Sequence, residues 1–504
     1  MSEKINVLFI TSDQQHFNTL GINNPEIKTP NLDRLCSMGT TFDRAYTVNP
    51  TCTPTRATMI TGKYPSQHGA WTLGTKLDEK CTTIGDLMHE AGMKTSLVGK
   101  AHFQPLASTD EYTSLESYPT LQDLDFWKNF TDDFYGFDTI KLTRNHTNEA
   151  HVGQHYAIWL EEHGFTNWRD YFVEPTGTMD RSKKYIWDIP EELHYDAWIA
   201  EETNNLLEQY KKNDDQFMLW TSFFDPHPAY FAPKPWVDMY DPDKLTLPKL
   251  DPNELEKATE VHRLTQEEKP DYSKFRSSGY ALHGCNSHVG ASEEIQRKNL
   301  ATYYAMVSLM DKYIGKILDK LDELDLTKNT VIVFTTDHGH YVGQHGLHAK
   351  GPFMFEDAIK VPYIVSLKDK IPAGVRSNAL QSVVDIPVTF LDYCNIKMPY
   401  DWTGKNQREV WEGTKEKVRD HIICEHNHDR NTMNLRAYVD QKYKLVVMQN
   451  QTYGELYDLE NDPNEVNNRF NDEDYKNIKS ELMMKYIWAE LEKESLFMPR
   501  IAHA

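Results

Sequence analysis

The sequence lacks long hydrophobic runs, a surplus of basic residues and paired cysteine motifs, and each absence excludes a class of protein. No apolar stretch approaches the roughly 18–20 residues of a membrane-spanning helix, so no membrane partner is expected. Lysine and arginine number 54 against 76 aspartate and glutamate, and the net charge of −22 argues against a nucleic-acid partner. Six scattered cysteines without C-x-x-C spacing predict neither a disulfide framework nor a structural zinc site.

What is present favours a large globular protein. The chain has 504 residues, of which 39% are hydrophobic, enough for a sizeable core. The apolar run 5–10 is too short for a signal sequence and polar residues follow it at once, so a cytoplasmic location is expected.

Strand and helix patterns alternate along most of the chain. Short apolar runs predict buried strands at 5–10, 94–100, 217–224 and 331–335. Apolar residues at helical spacing predict a long helix from about 293 to 324. We therefore expect an α/β fold, with a large, mixed, mostly parallel sheet between layers of helices. The segments 105–215 and 228–292 show no strong period and are interpreted as long excursions over the sheet.

The pattern changes in the tail of the chain. Short strand-like runs occur at 418–424, 435–440 and 444–448, and a charged helical pattern covers 472–493. This succession predicts a smaller C-terminal α+β domain with an antiparallel sheet. The predicted domains are residues 1–395 and 396–504.

Two acidic loops follow predicted strands. Asp13-Gln14 follows the first strand, and Asp337-His338 follows the strand at 331–335. Because ligands bind at the carboxyl ends of parallel strands, the two loops can meet at one edge of the sheet. Carboxylates with an amide oxygen suit Ca²⁺, Mg²⁺ or Mn²⁺, although an aspartate that caps a strand end is the structural alternative.

Segment 52–65 contains the pattern C-x-P-x-R, from Cys52 to Arg56, followed by T-G-x-x-P, from Thr61 to Pro65. This pattern resembles the signature of the sulfatases, which belong to the alkaline phosphatase superfamily. Further segments resemble motifs of that family in the expected order: 6–14, 99–103, 225–228, 335–339, 343–347, 350–351 and 454–459. The Asp-Gln and Asp-His pairs look like the branch that holds choline sulfatase and the phosphonate monoester hydrolases.

The resemblance implies a set of chemical roles. Cys52 would be converted to Cα-formylglycine by a formylglycine-generating or other maturation enzyme, and the hydrated aldehyde would attack sulfur. Arg56 would orient the diol, and Lys100 and Lys350 would neutralise the sulfuryl oxygens. His102 is the candidate base and His227 the candidate proton donor. The expected ligands of a divalent metal, Ca²⁺ first with Mn²⁺, Mg²⁺ or Zn²⁺ as alternatives, are Asp13, Gln14, Cys52, Asp337 and His338.

Substrate contacts are expected farther along the chain. The candidates are His345, His426, His428, Arg430 and Arg436. His340, His345 and His348 could instead form a separate zinc site, although contacts behind the site or with substrate are the preferred interpretation. The H-N-H triplet at 426–428 is not interpreted as a nuclease motif because the chain lacks a basic face. The tryptophan-rich stretches 159–168 and 187–198 are expected to pack against the sheet rather than stack on sugar rings.

The predicted function is hydrolysis of an O-sulfate monoester, with a sulfated carbohydrate as the expected substrate. A phosphonate monoester or phosphodiester hydrolase with the same site is one alternative. A non-catalytic sulfoglycan-binding protein whose Cys52 stays a thiol is another. The expected partners are a sulfated substrate and the maturation enzyme, and the oligomeric state is left open.

Overall fold

The computed structural model describes residues 4–144, 151–172, 185–276 and 284–503. The strands are β1 (Asn6–Ser12), β2 (Thr40–Phe42), β3 (Ala45–Tyr46), β4 (Lys94–Gly99), β5 (Thr139–Leu142), β6 (Phe217–Ser222), β7 (Asn286–Ser287), β8 (Thr330–Thr336), β9 (Tyr341–Val342), β10 (Leu347–Ala349), β11 (Tyr363–Ser366), β12 (Val375–Ser377), β13 (Gln381–Ser382), β14 (Ile422–Asp429), β15 (Met433–Val439), β16 (Tyr443–Met448) and β17 (Gly454–Asp458). The α-helices are α1 (Pro30–Met38), α2 (Cys52–Thr61), α3 (Pro65–His68), α4 (Ile84–Glu90), α5 (Leu124–Lys128), α6 (Gln154–Glu162), α7 (Tyr195–Asn213), α8 (Glu254–Lys257), α9 (Glu260–Thr265), α10 (Glu293–Glu323), α11 (Glu356–Ile359), α12 (Ile386–Tyr393), α13 (Arg408–Trp411) and α14 (Lys476–Glu492). None of these described helices is long and apolar enough to cross a membrane.

An eight-stranded sheet forms the centre of the molecule, in the order β12-β2-β11-β8-β1-β6-β4-β5. The strands β8, β1, β6, β4 and β5 run parallel, and β11 is antiparallel to its neighbours β8 and β2. Every residue of β1 is buried, as expected for a parallel sheet with both faces covered by helices. The predicted mixed, mostly parallel sheet is confirmed.

Alternate residues of β1 supply two hydrophobic cores. Val7 and Phe9 join the core on one face, and Phe9 packs on the Trp220 ring with a centroid distance of 5.3 Å. Leu8 and Ile10 join the core on the other face. This period of two is what a strand between two layers of helices requires.

The long α7 lies in a segment that showed no clear period. Trp198 on α7 is fully buried, and the helix packs against β6 and α10. Because α7 buries aromatic and polar side chains over a wide arc, it lacks the narrow apolar stripe by which an amphipathic helix is recognised. The predicted packing role of the tryptophans is confirmed, since Trp159, Trp168 and Trp187 are also buried.

The C-terminal part contains a four-stranded antiparallel sheet in the order β14-β15-β16-β17, followed by α14. The predicted α+β character of the tail is confirmed, while the domain boundary at 395–396 stays a prediction. The backbone N–H of Glu425 on β14 donates to the carbonyl of Val48 at 2.7 Å. This bond ties the edge of the small sheet to the chain that leads into α2.

Candidate active site

Two acidic loops meet at the carboxyl edge of the large sheet. β1 and β8 are adjacent and parallel, and Ser12 pairs with Thr336 at their ends. The residues that follow, Asp13 and Asp337, therefore lie side by side. Ligating atoms of both aspartates, Cys52 and His338 all lie within 4.8 Å of one another, and the four residues are buried.

Cys52 is the first residue of α2 and is fully buried in this cluster. Its Sγ lies 3.4 Å from Asp13 Oδ1, 3.2 Å from His338 Nε2 and 3.0 Å from Lys350 Nζ. Burial and the nearby Asp13 raise the pKa of the Cys52 thiol to about 11. The unmodified side chain is therefore a protonated thiol at neutral pH and a weak nucleophile.

Two buried cations balance the two carboxylates. Arg56 Nε donates to Asp337 Oδ2 at 2.8 Å, and Arg56 also donates to the hydroxyl of Ser222 at 2.8 Å. Lys100 Nζ forms an ion pair with Asp13 Oδ2. Burial opposes ionisation of Asp13, but the charges of Lys100 and Arg56 hold its pKa below the usual range. Both carboxylates are thus ionised and oriented before any ligand binds.

The donor set fits a divalent cation. Gln14 donates through Nε2 to His340 Nδ1 at 2.7 Å, and its buried Oε1 has no hydrogen-bond partner among the described residues. His338 Nδ1 donates to the Gly339 carbonyl at 2.9 Å, which leaves the Nε2 lone pair facing the cluster. Gln14 Oε1 and His338 Nε2 can therefore act as metal ligands together with the carboxylates of Asp13 and Asp337. The oxygen ligands suit Ca²⁺, and the imidazole also suits Mn²⁺ or Zn²⁺.

The free Gln14 oxygen leads to a test of metal binding. We expect Gln14→Met to weaken divalent-cation affinity about 10–100-fold, by analogy with the loss of orienting partners at metal sites. The measurement is the rise in thermal midpoint when Ca²⁺ or Mn²⁺ is added to chelator-treated protein, because a ligand stabilises the state it binds. Gln381→Met, at a buried glutamine away from the cluster, should keep the full metal-induced rise. An undiminished rise in the Gln14 variant would remove this residue from the ligand set.

Lys350 links position 52 to a partly buried histidine. Lys350 Nζ lies 3.2 Å from His227 Nε2, besides its contact with Cys52. His227 Nδ1 donates to the carbonyl of Pro228, so Nε2 is the acceptor for the lysine. Burial and the positive charge of Lys350 hold the pKa of His227 well below its ordinary value. In this structure His227 is neutral, and its Nε2 is a hydrogen-bond acceptor. Nε2 must therefore gain a proton before His227 can protonate a leaving alcohol.

His102 lies in the loop that follows β4, with a left-handed φ of 62°. Glu116 accepts the backbone N–H of His102 at 3.0 Å and is itself ion-paired with Arg144. Burial and the charges of Arg144 and Lys100 hold the pKa of His102 well below its ordinary value. The ring is therefore neutral, and it can act as a base once a bound anion offsets these positive charges.

The structure places His345 among carboxylates behind the metal ligands. Its ring nitrogens lie 2.5 Å from Glu254 Oε1 and 3.3 Å from Asp357 Oδ2, and its ring stacks on Phe355. A substrate contact for this residue stays a prediction. The alternative of one zinc site with His340 is wrong among the described residues, because His340 turns instead to Gln14 and to Tyr230 at 2.7 Å.

The pKa of His345 leads to a prediction about pH and stability. The ring is buried, but Asp357 and Glu254 raise its pKa to about 10. Because the folded pKa exceeds the ordinary value of 6.5, the charged ring stabilises the fold fully below pH 6.5, and this contribution is lost as the pH approaches 10. We expect the thermal midpoint to fall less between pH 7 and pH 10 in His345→Gln than in the wild type. His155→Gln is the control, since burial lowers the pKa of His155 to about 3 and it does not titrate in that window. If the thermal midpoint fell equally between pH 7 and pH 10 in all three proteins, a charged His345 between Glu254 and Asp357 would be contradicted.

The other predicted substrate residues lie on the C-terminal sheet. His426 and His428 are on β14, with ring centroids 6.3 Å apart, and Arg430 is exposed in the turn after this strand. Arg436 on β15 donates to Asn434 Oδ1 at 2.7 Å. Their roles in substrate binding stay predictions.

Several positioning residues escaped the sequence analysis. Ser222 fixes Arg56, Thr47 donates to the carbonyl of Asp337 at 2.6 Å, and Tyr230 holds His340. Ser222 ends β6, so its place at the carboxyl end of a predicted strand was a usable signal. Thr47 and Tyr230 lie in loops, where no local pattern marks them.

Comparisons with known proteins complete the description of the site. A family model described as Sulfatase matches residues 5–396, and one described as N-sulphoglucosamine sulphohydrolase, C-terminal, matches residues 343–493. The uncharacterized sulfatase YidJ of Escherichia coli is 26% identical, covering 95% of this chain and 85% of its own. The arylsulfatase of Clostridium perfringens is 26% identical, covering 97% of this chain and 95% of its own. The crystal structure of the phosphonate monoester hydrolase of Agrobacterium radiobacter superposes with a TM-score of 0.79 at 22% identity, covering 97% of this chain and 96% of its own.

Proposed function

Because the chain belongs to the sulfatase family, we propose that it hydrolyses O-sulfate monoesters with a nucleophile that is made from Cys52 by oxidation to formylglycine. The observation that carries this proposal is the position of Cys52 Sγ, which lies within 3.4 Å of Asp13, His338 and Lys350 at once. A buried thiol with a raised pKa is poorly suited to act as it stands. The hydrate of formylglycine offers one hydroxyl for attack on sulfur and a second whose deprotonation expels sulfate.

The cation site supports the same function. A divalent metal held by Asp13, Gln14, Asp337 and His338 would supply Lewis-acid activation next to position 52. Arg56 keeps Asp337 in place and reaches the backbone of the Lys100 loop at 3.0 Å. The protein residues therefore hold the reacting position and its charges in one orientation before substrate arrives.

Lys350 and His227 are suited to manage the leaving alcohol. The ammonium lies between position 52 and His227 Nε2, where it can neutralise a sulfuryl oxygen and donate a hydrogen bond to the imidazole. The bound sulfate would offset the positive charge that keeps His227 neutral. His102, neutral and buried, is the proposed base that takes the proton during expulsion of sulfate.

Burial of Cys52 also bears on its maturation. The side chain is fully buried in the folded protein. A formylglycine-generating enzyme must therefore meet segment 52–56 before the site closes around it. This order of events is part of the proposal.

A sulfated carbohydrate is the proposed substrate class. The relatives include an N-acetylglucosamine-6-O-sulfatase of Bacteroides thetaiotaomicron, 24% identical over 96% of this chain and 85% of its own. The C-terminal strands β14 and β15, which adjoin the chain leading into α2, carry Arg436 and two histidines that could contact a sugar. Charged and aromatic groups beside a sulfate pocket are suited to a polar ring substrate.

A panel of substrates tests the proposal. Protein produced with a formylglycine-generating enzyme should release sulfate from an aryl sulfate and, faster, from one or more defined sulfated saccharides. An aryl phosphonate and a phosphate diester are the matched comparisons for the same site. Rapid cleavage of the diester beside negligible release of sulfate would overturn the sulfatase assignment. Peptide mass analysis of residue 52 shows whether the oxidation has taken place.

A further inference from the structure

A second group of side chains of the kind that bind metals lies at the start of α7. His194, Asp196 and Asp225 each offer a ligand atom, and these atoms lie within 4.8 Å of one another. All three side chains are fully buried. His194 and Asp196 flank the first residue of α7, and Asp225 lies in the loop that follows β6. The cluster therefore joins two separate segments of the fold.

Most polar atoms of this cluster have no hydrogen-bond partner. Among the described residues, neither oxygen of Asp196, nor Oδ2 of Asp225, nor Nε2 of His194 is hydrogen-bonded. Nδ1 of His194 accepts the backbone N–H of Asp196 at 3.2 Å, which is at the long end of the usual range. Buried polar groups are normally hydrogen-bonded, so four unpartnered atoms in one buried place point to a ligand.

The two carboxylates of the cluster also lack a cation. Each active-site carboxylate is balanced by a buried lysine or arginine. No lysine or arginine of the described part of the chain is ion-paired with Asp196 or Asp225, and burial keeps the neighbouring His194 neutral by lowering its pKa to about 3. Burial and the charge of Asp225 raise the pKa of Asp196 well above its ordinary value. Two ionised carboxylates at this depth therefore need a compensating positive charge.

We propose that His194, Asp196 and Asp225 bind a structural zinc ion. Asp196 can supply both oxygens, Asp225 one oxygen and His194 one ring nitrogen, which together make the tetrahedral donor set that zinc prefers. Two carboxylates match the charge of a divalent cation. The imidazole favours zinc over calcium, which takes about six to eight oxygen ligands.

A proton shared between the two aspartates is the alternative to a metal ion. One shared proton joins one oxygen of Asp196 to one oxygen of Asp225. It leaves the second oxygen of Asp196 and Nε2 of His194 without a partner. A metal ion satisfies more of the cluster, because it binds all three side chains at once.

Neighbouring contacts orient the cluster and indicate what the ion would do. The hydroxyl of Tyr195 donates to Asp225 Oδ1, which leaves Oδ2 for the cation. The carbonyl of Asp225 accepts the N–H of Asp13 at 3.2 Å, and the chain continues from Asp225 to His227. A zinc ion would therefore hold the start of α7 against the loop that supports Asp13 and carries His227. The role is structural, because all three ligands are fully buried.

The first test is the zinc content of the full chain, produced in zinc-supplemented medium and then dialysed against Ca²⁺. An enclosed ion is released only when its site opens, so the wild type should retain it. Asp196→Asn keeps the shape of the side chain and should retain about one zinc ion fewer per chain than the wild type. His194→Gln should show the same loss and serves as the second variant if Asp196→Asn does not fold.

Asp311→Asn is the matched control for the zinc measurement. Asp311 is a buried aspartate of α10 whose oxygens accept the N–H groups of Leu32 at 2.7 Å and Asn31 at 3.1 Å. Its replacement should leave the zinc content equal to that of the wild type. Equal zinc contents in the wild type and in Asp196→Asn would overturn the proposal.

The second test locates the ion and does not depend on any variant. Anomalous diffraction from wild-type crystals at the zinc absorption edge should give a peak between His194, Asp196 and Asp225. Calcium in the active site has no edge at this energy, so the two sites are distinguished. No zinc peak, or a zinc peak confined to Asp13 and Asp337, would overturn the proposal and favour the shared proton.

Discussion

Cys52→Ala is expected to lower turnover of sulfate esters by at least about 10⁴-fold while the protein stays folded. The alanine has no sulfur to oxidise, so no nucleophile can be made at position 52, whereas the cation site and the lysines remain. The side chain is small, and its removal should change the free energy of unfolding by less than about 2 kcal/mol. The measurements are initial rates on an aryl sulfate and thermal midpoints, with both proteins produced beside the same formylglycine-generating enzyme.

Cys424→Ala is the matched control for this experiment. Cys424 is as fully buried as Cys52 but packs among apolar residues of the C-terminal sheet. Its replacement should leave turnover unchanged at a temperature where the variant is folded. Turnover retained by Cys52→Ala would contradict the proposed mechanism, whatever its effect on stability.

Arg56→Met is expected both to destabilise the protein and to abolish its activity. The variant leaves the fully buried Asp337 without the Arg56 cation and removes the hydrogen bond that Arg56 donates to Ser222. Breaking a buried ion pair in this way costs about 3–5 kcal/mol. Turnover should fall as well, by about 10²–10³-fold, because Asp337 and the reacting position are no longer held in one orientation.

A second buried ion pair makes it possible to separate the loss of stability from the loss of turnover. Arg419 is ion-paired with Asp385, and both side chains are almost completely buried. Arg419→Met should lose about as much stability as Arg56→Met, by the same physical argument, but retain turnover wherever it is folded. If both variants lost turnover equally at a temperature where both are folded, the catalytic role of Arg56 would have to be withdrawn. Denaturant unfolding and initial rates at the same temperature make the comparison.

The elements that the sequence predicted well are those with a strong local period. The helix expected over 293–324 is α10, Glu293–Glu323, because its apolar residues repeat over many turns. The 19-residue α7 was not recognised, although it is among the longest helices described. Its buried aromatic residues do not form a stripe, and only the packing against α10 and β6 explains why they are helical.

The candidate site also combines features that the sequence predicted with features that depend on contacts between distant residues. The meeting of Asp13 with Asp337 was predictable, because both follow strands of one parallel sheet. The orientation of the Gln14 amide was not, since it depends on His340, which in turn is held by Tyr230 in a distant loop. The ion pairs of His345 with Glu254 and Asp357 were not predictable either, because these partners lie in segments without a local motif, while its expected substrate contact stays a prediction.

By itself the sequence determined the chemistry available to this protein: the α/β alternation, the acidic strand ends, and a cysteine set in the family's motif. These properties depend on residue type and on spacing within a few positions, which local physical chemistry controls. Only the tertiary structure decided which cation neutralises which carboxylate and which histidines are neutral. Those features depend on burial and on contacts between residues that are hundreds of positions apart, and a pattern along the chain does not encode them locally.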